Sequence, residues 1–210
     1  MDFGLSDDFV LSVAEDVDGF IWIGTKGGGL NRYNPETKTF KWYRKGSKAG
    51  NIQSNRIECM QTDSNHTLWI GSEDGLISKK RNSETFTVHV KVHVRNIYIS
   101  EGRYIWIGTT NGLFRYNIEY ARLDPLPTRH KDFFDKENNI GITRVFEDSK
   151  GILWIATNAN GLFEYHKNSD KLINHTHNIE VPYSISGNQV RARLFIIRPQ
   201  KTVWLVQYRE

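Results

Sequence analysis

Apolar and polar residues alternate along this chain in short bursts that end at Gly, Asn, Asp or Ser. Val10-Leu11-Ser12-Val13-Ala14-Glu15-Asp16 is one such burst, Phe20-Ile21-Trp22-Ile23-Gly24-Thr25 a second, Gly29-Leu30-Asn31-Arg32-Tyr33-Asn34 a third and Thr39-Phe40-Lys41-Trp42-Tyr43 a fourth. Runs of Val, Ile, Phe, Trp and Tyr bounded by turn formers suit a half-buried pleated ribbon. The pattern therefore predicts four short strands joined by tight turns, and no stretch makes a persuasive helix.

The four-strand pattern recurs from Asn55 to His89, from His93 to Leu123 and from Gly141 to His175, and a fifth copy starts near Asn188 and runs to Glu210. Trp-Ile-Gly marks the second strand at Trp22-Ile23-Gly24, Trp69-Ile70-Gly71 and Trp106-Ile107-Gly108, with altered forms at Trp154-Ile155-Ala156 and Trp204-Leu205-Val206. Successive tryptophans are 47, 37, 48 and 50 residues apart, and the glycine opening the third strand follows Trp by six or seven at Gly29, Gly75, Gly112 and Gly161. A repeated four-stranded unit of about 40 to 50 residues is the sequence sign of a β-propeller blade. The expected fold is all-β, with four-stranded antiparallel blades whose second-strand Trp and Ile pack between neighbours. The blades fall at 10–43, 55–89, 93–123 and 141–175, with a partial one at 188–210.

An aspartate stands six residues before Trp at Asp16, Asp63 and Asp148, and Gly follows it by three at Gly19 and Gly151. Asp caps the amides of such a turn while Gly takes positive φ, so this is turn chemistry. A calcium loop needs more numerous and denser oxygens. The third copy has Ser100 in place of the aspartate, and the second has Lys79 where the others have Tyr33, Tyr116 and Tyr165.

On these residues the chain resembles the two-component regulator propeller repeat family. Asp16 to Thr25 with Gly27 to Asn34, and Glu147 to Ile155 with Gly161 to Tyr165, are similar to its blade motif. Asn51 to Ile57 and Ser184 to Val190 are similar to its inter-blade linker. The resemblance implies the extracytoplasmic, periplasmic sensor half of a hybrid two-component system, a membrane protein that also carries a histidine kinase, a receiver and a DNA-binding module. Many members of that family respond to polysaccharide fragments.

A propeller closes with about four to eight blades, whereas this chain supplies four and part of a fifth. It is therefore expected to be part of a longer propeller and not to close its ring alone, which would leave apolar blade faces to remaining blades of the parent or to self-association. The alternative is a small ring in which residues before Val10 supply a closing strand. No apolar run is long enough to span a bilayer, so membrane attachment is expected only through the parent, and Met1-Asp2-Phe3-Gly4-Leu5 lacks the features of a signal peptide.

Cys59 is the one cysteine. It excludes an internal disulfide and reads as a buried small residue. The net charge of +4 raises nucleic acid as a partner, but the basic residues are spread through all copies. The run Lys79-Lys80-Arg81 reads as a solvated edge, and the aromatics alternate as core and not as a stacking platform, so no nucleic acid is expected. His175-Thr176-His177 lacks a third ligand nearby, so neither metal nor cofactor is expected. Gly27-Gly28-Gly29 is a hairpin turn without the Lys-Ser/Thr of a phosphate loop. The adjacent carboxylates Glu15-Asp16 and Glu147-Asp148 fall on opposite strand faces, which does not suit paired acid and base work.

Two functions remain. One is a non-catalytic sensor that binds an oligosaccharide or couples to a partner; the other is a polysaccharide-active propeller enzyme, a lyase or glycosidase, with a protein-interaction scaffold as a further variant. The candidate ligand-binding residues are those entering the first strands, Arg56, Arg95, Arg144 and Arg191. Arg144 stands one place off Arg95 in the Trp-anchored register. In the family topology, the second-to-third-strand loops join them with Lys26, Asp74, Asn111, Asn158 and Asn160. Together they would form a positive mouth able to receive an acidic sugar, unless they are simply solvated rim charge.

Overall fold

A computed structural model of the chain describes residues 4–46, 50–101, 103–124, 126, 134 and 140–190, and the backbone alone of 192–197 and 203–207. Strands β1 (Val10–Glu15), β2 (Ile21–Thr25), β3 (Leu30–Asn34) and β4 (Thr39–Tyr43) form one antiparallel sheet in sequence order. A second holds β5 (Ile57–Thr62), β6 (Leu68–Ser72), β7 (Gly75–Lys79) and β8 (Thr87–Val90), and a third β9 (Val94–Ser100), β10 (Tyr104–Thr109), β11 (Gly112–Asn117) and β12 (Arg122–Asp124). The fourth holds β13 (Ile142–Glu147), β14 (Ile152–Thr157), β15 (Leu162–His166) and β16 (Lys171–His175), and β17 (Ala192–Ile197) pairs with β18 (Val203–Gln207). Each first strand packs on the next sheet's first strand, so β1, β5, β9 and β13 line the inner wall of an arc of blades. The fold is the all-β propeller architecture that the repeat predicts.

The arc is open. On its first strand Val13 is 61% exposed, and Phe9 just before it 68%. Residues 4–9 make no closing strand; they lie along the first sheet, where the Trp42 indole donates to the Gly4 carbonyl at 3.0 Å and the Ser6 amide to Asn31 Oδ1 at 2.9 Å.

Sheet-to-sheet packing follows from strand alternation. Side chains of adjacent strand residues point to opposite faces, so the Trp and Ile of each Trp-Ile pair serve different neighbours. Trp22 joins a cluster with Ile52, Ile57, Ile70 and Ile77 of the second sheet and the linker to it, and Trp69 joins Val94, Ile97, Ile107 and Tyr116 of the third. Trp106 joins Ile142, Val145, Ile155 and Tyr165 of the fourth. These three indoles thus face the following blade, while Ile70, Ile107 and Ile155 face the preceding one. The Gly that ends the motif clears space for the same junction. A Cβ on Gly71 would stand 2.4 Å from Cys59 Sγ and 2.6 Å from Val94 Cγ1, and one on Gly24 2.6 Å from Ile57 Cγ2.

The aspartate turn does more than cap itself. Asp63 Oδ1 accepts the amides of Asn65 and Thr67, both at 2.9 Å, and its Oδ2 accepts the Trp69 indole N–H at 2.8 Å. Asp16 and Asp148 repeat this, taking the indoles of Trp22 at 2.7 Å and Trp154 at 3.0 Å. In the second copy His66 takes the positive φ of 61° that Gly19 and Gly151 take at 79° and 74°. In the third copy the Ser100 hydroxyl donates instead to Glu147 Oε2 of the next blade at 2.6 Å.

Lys79 departs from its reading as part of a solvated edge. It lies on the third strand of its sheet, is buried, and holds its ammonium 5.3 Å from the Trp22 ring centroid. Tyr116 at the same position sets its ring 5.8 Å from that of the preceding tryptophan, Trp69, and Lys79 sets a cation over the Trp22 ring instead. Burial lowers the pKa of its ammonium.

Truncating a buried aromatic costs about 3–5 kcal/mol, so Trp69→Ala should lose most of the protein's stability, whereas Trp42→Ala, on the outermost strand, should be milder; equal denaturant midpoints would contradict this packing. Gly71→Ala should cost about 1–3 kcal/mol by overpacking against a β-branched neighbour, measured the same way.

Candidate functional site

Antiparallel pairing places the start of each first strand beside the end of the second: Val10 pairs Thr25, Ile57 pairs Ser72, Val94 pairs Thr109 and Ile142 pairs Thr157. The residues entering the inner wall and the loops after the second strands therefore share one edge of the arc. There a pocket of about 430 Å³ is lined by Arg56, Glu58, His93, Arg95, Thr143, Asn158 and Gln189. It brings together three of the sequence candidates, Arg56, Arg95 and Asn158.

Within it, Arg56 Nε donates to Glu58 Oε1 at 2.6 Å and His93 Nε2 lies 3.1 Å from the same oxygen. Arg95 is exposed and makes no hydrogen bond or ion pair among the described residues. The Asn158 main-chain amide is fixed on the Gly141 carbonyl at 2.9 Å, which leaves its side-chain amide to the pocket.

Arg144 lies elsewhere. It borders a cavity of about 390 Å³ on the inner wall, to which all four first strands contribute. Ser12, Cys59, Asn96 and Arg144 occupy one register there, paired with Gly24, Gly71, Gly108 and Ala156 of the adjacent strands. Burial holds the Arg144 guanidinium below its usual value, and no hydrogen bond or ion pair engages it among the described residues. Glu58 borders both spaces. Burial likewise pushes the Cys59 thiol up to about 12.

The remaining candidates are dispersed. The amides of Asn111 and Asn160 donate to Thr109 Oγ1 at 3.1 Å and Thr157 Oγ1 at 2.9 Å, shaping their turns, and neither residue lines the pocket. Asp74 pairs with Lys45 at 2.8 Å, Lys26 sits 5.3 Å from the Phe9 ring centroid, and Arg191 lies outside the described residues. The two histidines of 175–177 part company: His175 Nε2 is 2.8 Å from Glu164 Oε2, whereas His177 Nδ1 is 2.7 Å from the Ile185 carbonyl. Glu58 and His93 escaped the sequence reading although a signal was present. Each stands two residues from an arginine of the pocket, at the bulged start of a first strand.

The Two component regulator propeller family matches residues 4–27, 51–74 and 136–159, segments that take in three of the Trp-Ile motifs. Histidine kinase P4 of Formosa agariphila is 31% identical over 169 residues, which cover 73% of this chain and 12% of that protein. Among solved structures, the extracellular domain of BT4673 from B. thetaiotaomicron, described as a hybrid two component system, superposes with a TM-score of 0.79 at 19% identity, covering 97% of this chain and 27% of that one. The extracellular domain of BT3049 from the same organism, described likewise, gives 0.62 at 16% identity over 98% of this chain and 40% of that one. At such identities the structural likeness shows the fold, and the chain spans only a small part of each relative.

A raised thiol pKa favours the neutral, unreactive form. Because the folded value exceeds the unfolded one, the stability tied to Cys59 is complete below the unfolded pKa and is lost as pH rises toward about 12. Folded protein should resist iodoacetamide at about pH 8 and be labelled fully in denaturant; rapid labelling of the native state, read by mass, would contradict the burial.

Proposed function

The chain belongs to the two-component regulator propeller family, and from that premise we propose that it is an extracytoplasmic, periplasmic sensor segment of a hybrid two-component signalling protein, binding an oligosaccharide at the blade edge without turning it over. The observation that carries this reading is the pocket in which an uncommitted arginine, Arg95, and the Asn158 amide face one another's neighbourhood beside the Arg56–Glu58–His93 cluster. Planar groups rich in donors and acceptors suit vicinal hydroxyls, and guanidinium groups add attraction for any acidic substituent. Signalling needs only that ligand favour one arrangement of the parent protein over another.

The pocket chemistry favours binding over hydrolysis. Glycoside hydrolysis generally uses two carboxylates, one on each side of the scissile bond, and among the described residues Glu58 is the one carboxylate lining this pocket, with an oxygen already held by Arg56 and His93. Coupling to the rest of the signalling protein falls to the open end of the arc, where Phe9, Val13 and Val17 are exposed. Remaining blades of the longer protein, or a second copy, would cover them, and apolar patches drive such association.

Calorimetry against a panel of oligosaccharides, run beside assays for new reducing ends and unsaturated products, tests the reading. Saturable binding without product is expected, and Arg95→Ala should weaken it by about 1.5–3 kcal/mol, roughly ten- to a hundredfold in Kd, as for a hydrogen bond to a charged group. Product formation abolished by Glu58→Gln would replace the sensor with an enzyme.

A further inference from the structure

We propose that the inner wall carries a second binding site, for a single oxyanion, centred on Arg144 and separate from the edge pocket. Four first strands converge on its cavity of about 390 Å³, which has room for on the order of a dozen waters at about 30 Å³ each. At the shared register the other three blades present Ser12, Cys59 and Asn96, all neutral. Asn96 is committed, its Oδ1 accepting the Val145 amide at 2.7 Å, and the Cys59 thiol is held neutral by burial. Arg144 alone brings a charge to that ring of positions.

Nothing among the described residues answers that charge. Glu58 borders the cavity, but Arg56 and His93 crowd its Oε1 at 2.6 and 3.1 Å, so its charge is met from the edge side. Counted over both spaces, Arg56, Arg95 and Arg144 face Glu58, an excess of two positive charges with histidine neutral. Arg144 is half-buried, so its charge is only partly met by water, and a fork of parallel N–H donors matches two oxygens of one carboxylate, sulfate or phosphate group. The Ser12 hydroxyl of the same register has no hydrogen-bond partner, but it is buried against Gly24, 2.6 Å from where a Cβ there would stand, and offers the cavity no donor. A bound oxyanion would satisfy the arginine.

The oxyanion has two sources, a free inorganic ion or the acid group of a sugar, and the test separates them. The full chain is titrated by calorimetry with sodium sulfate, sodium glucuronate and glucose at constant ionic strength. Sulfate stabilises proteins generally by exclusion from their surface, so saturable heat, not melting temperature, is the readout. Arg95→Met, which removes the free guanidinium of the edge pocket, should still bind sulfate or glucuronate and not glucose, and adding Arg144→Met to it should abolish that binding; Arg144→Met alone should melt no lower than wild type, having shed an unanswered charge. Binding of sulfate and glucuronate alike identifies a free-ion site, and binding of glucuronate alone identifies the acid end of a sugar. No saturable heat with either anion, or binding by the double variant equal to that of Arg95→Met, overturns the proposal. Should the double variant fail to fold, Arg144→Lys added to Arg95→Met decides: it keeps the charge without the fork, so weaker binding than Arg95→Met supports the site and equal binding overturns it. Loss of binding in Arg95→Met with retention in Arg144→Met would place the anion at the edge pocket and also overturn it.

Discussion

The indoles of Trp22, Trp69 and Trp106 are each pressed between two sheets, and because strand side chains alternate, the isoleucine after each must point into the sheet before. Two adjacent residues thereby bind a blade to both neighbours. The first copy demonstrates the dependence, since Ile23 has no described blade in front of it and is only half-buried, while Ile70, Ile107 and Ile155 are fully buried. An isolated blade would leave one of these residues in water, so the unit is stable only in a stack. The aspartate turn fixes the wedge in place: one carboxylate oxygen organises the turn and the other holds the indole N–H, a polar group that could not be buried unpaired without cost.

From this junction the inner wall follows. Glycine after Trp-Ile lets the first strand of the next blade come close, with Ile57, Val94 and Ile142 pressing on Gly24, Gly71 and Gly108. The first strands are drawn together, and the space between them is bordered by three or four residues from each of the four described blades. Where the strands begin, the packing constraint ends and polar residues collect. The edge pocket thus lies beyond the packed junctions, at the strand starts, whereas the inner-wall cavity lies beside them.

Much of this was legible in the sequence because a repeat averages over its own irregularities. Five tryptophans at blade spacing, three aspartates six residues before them and the recurrent Gly-Leu specify strand order and turn chemistry without knowledge of any distant contact. What escaped were contacts between copies. Lys79 looks like the start of a basic surface run, and only the neighbouring blade's Trp22 makes it a buried cation over a ring. Ser100 looks like a lost cap, and only Glu147 of the next blade shows where its hydroxyl goes. The edge pocket was half legible: Arg56, Arg95 and Asn158 were found, whereas Glu58 and His93 were not, because the bulged strand starts that bring them beside the arginines become visible only once the strands are paired.

The parting of Arg95 and Arg144 shows how little separates an edge from a channel. The equivalent of Arg95 in the fourth blade is Thr143, which lines the edge pocket, and the equivalent of Arg144 in the third is Asn96, on the inner wall. Arg95 and Thr143 are the extra residues of a β-bulge, whereas Asn96 and Arg144 are the first residues paired beyond it, so the same residue type one place along meets solvent in one blade and the inner-wall recess in the next. The second strands cannot vary this way, because Trp, Ile and the small residue after them are committed to two junctions at once. The first strands carry no such double commitment at the inner-wall register, where four blades place Ser12, Cys59, Asn96 and Arg144 with the same backbone pairing. A repeat architecture can therefore hold its shape with one strand of each unit and change its chemistry with another, and Arg144 is the position at which this chain has done so most sharply.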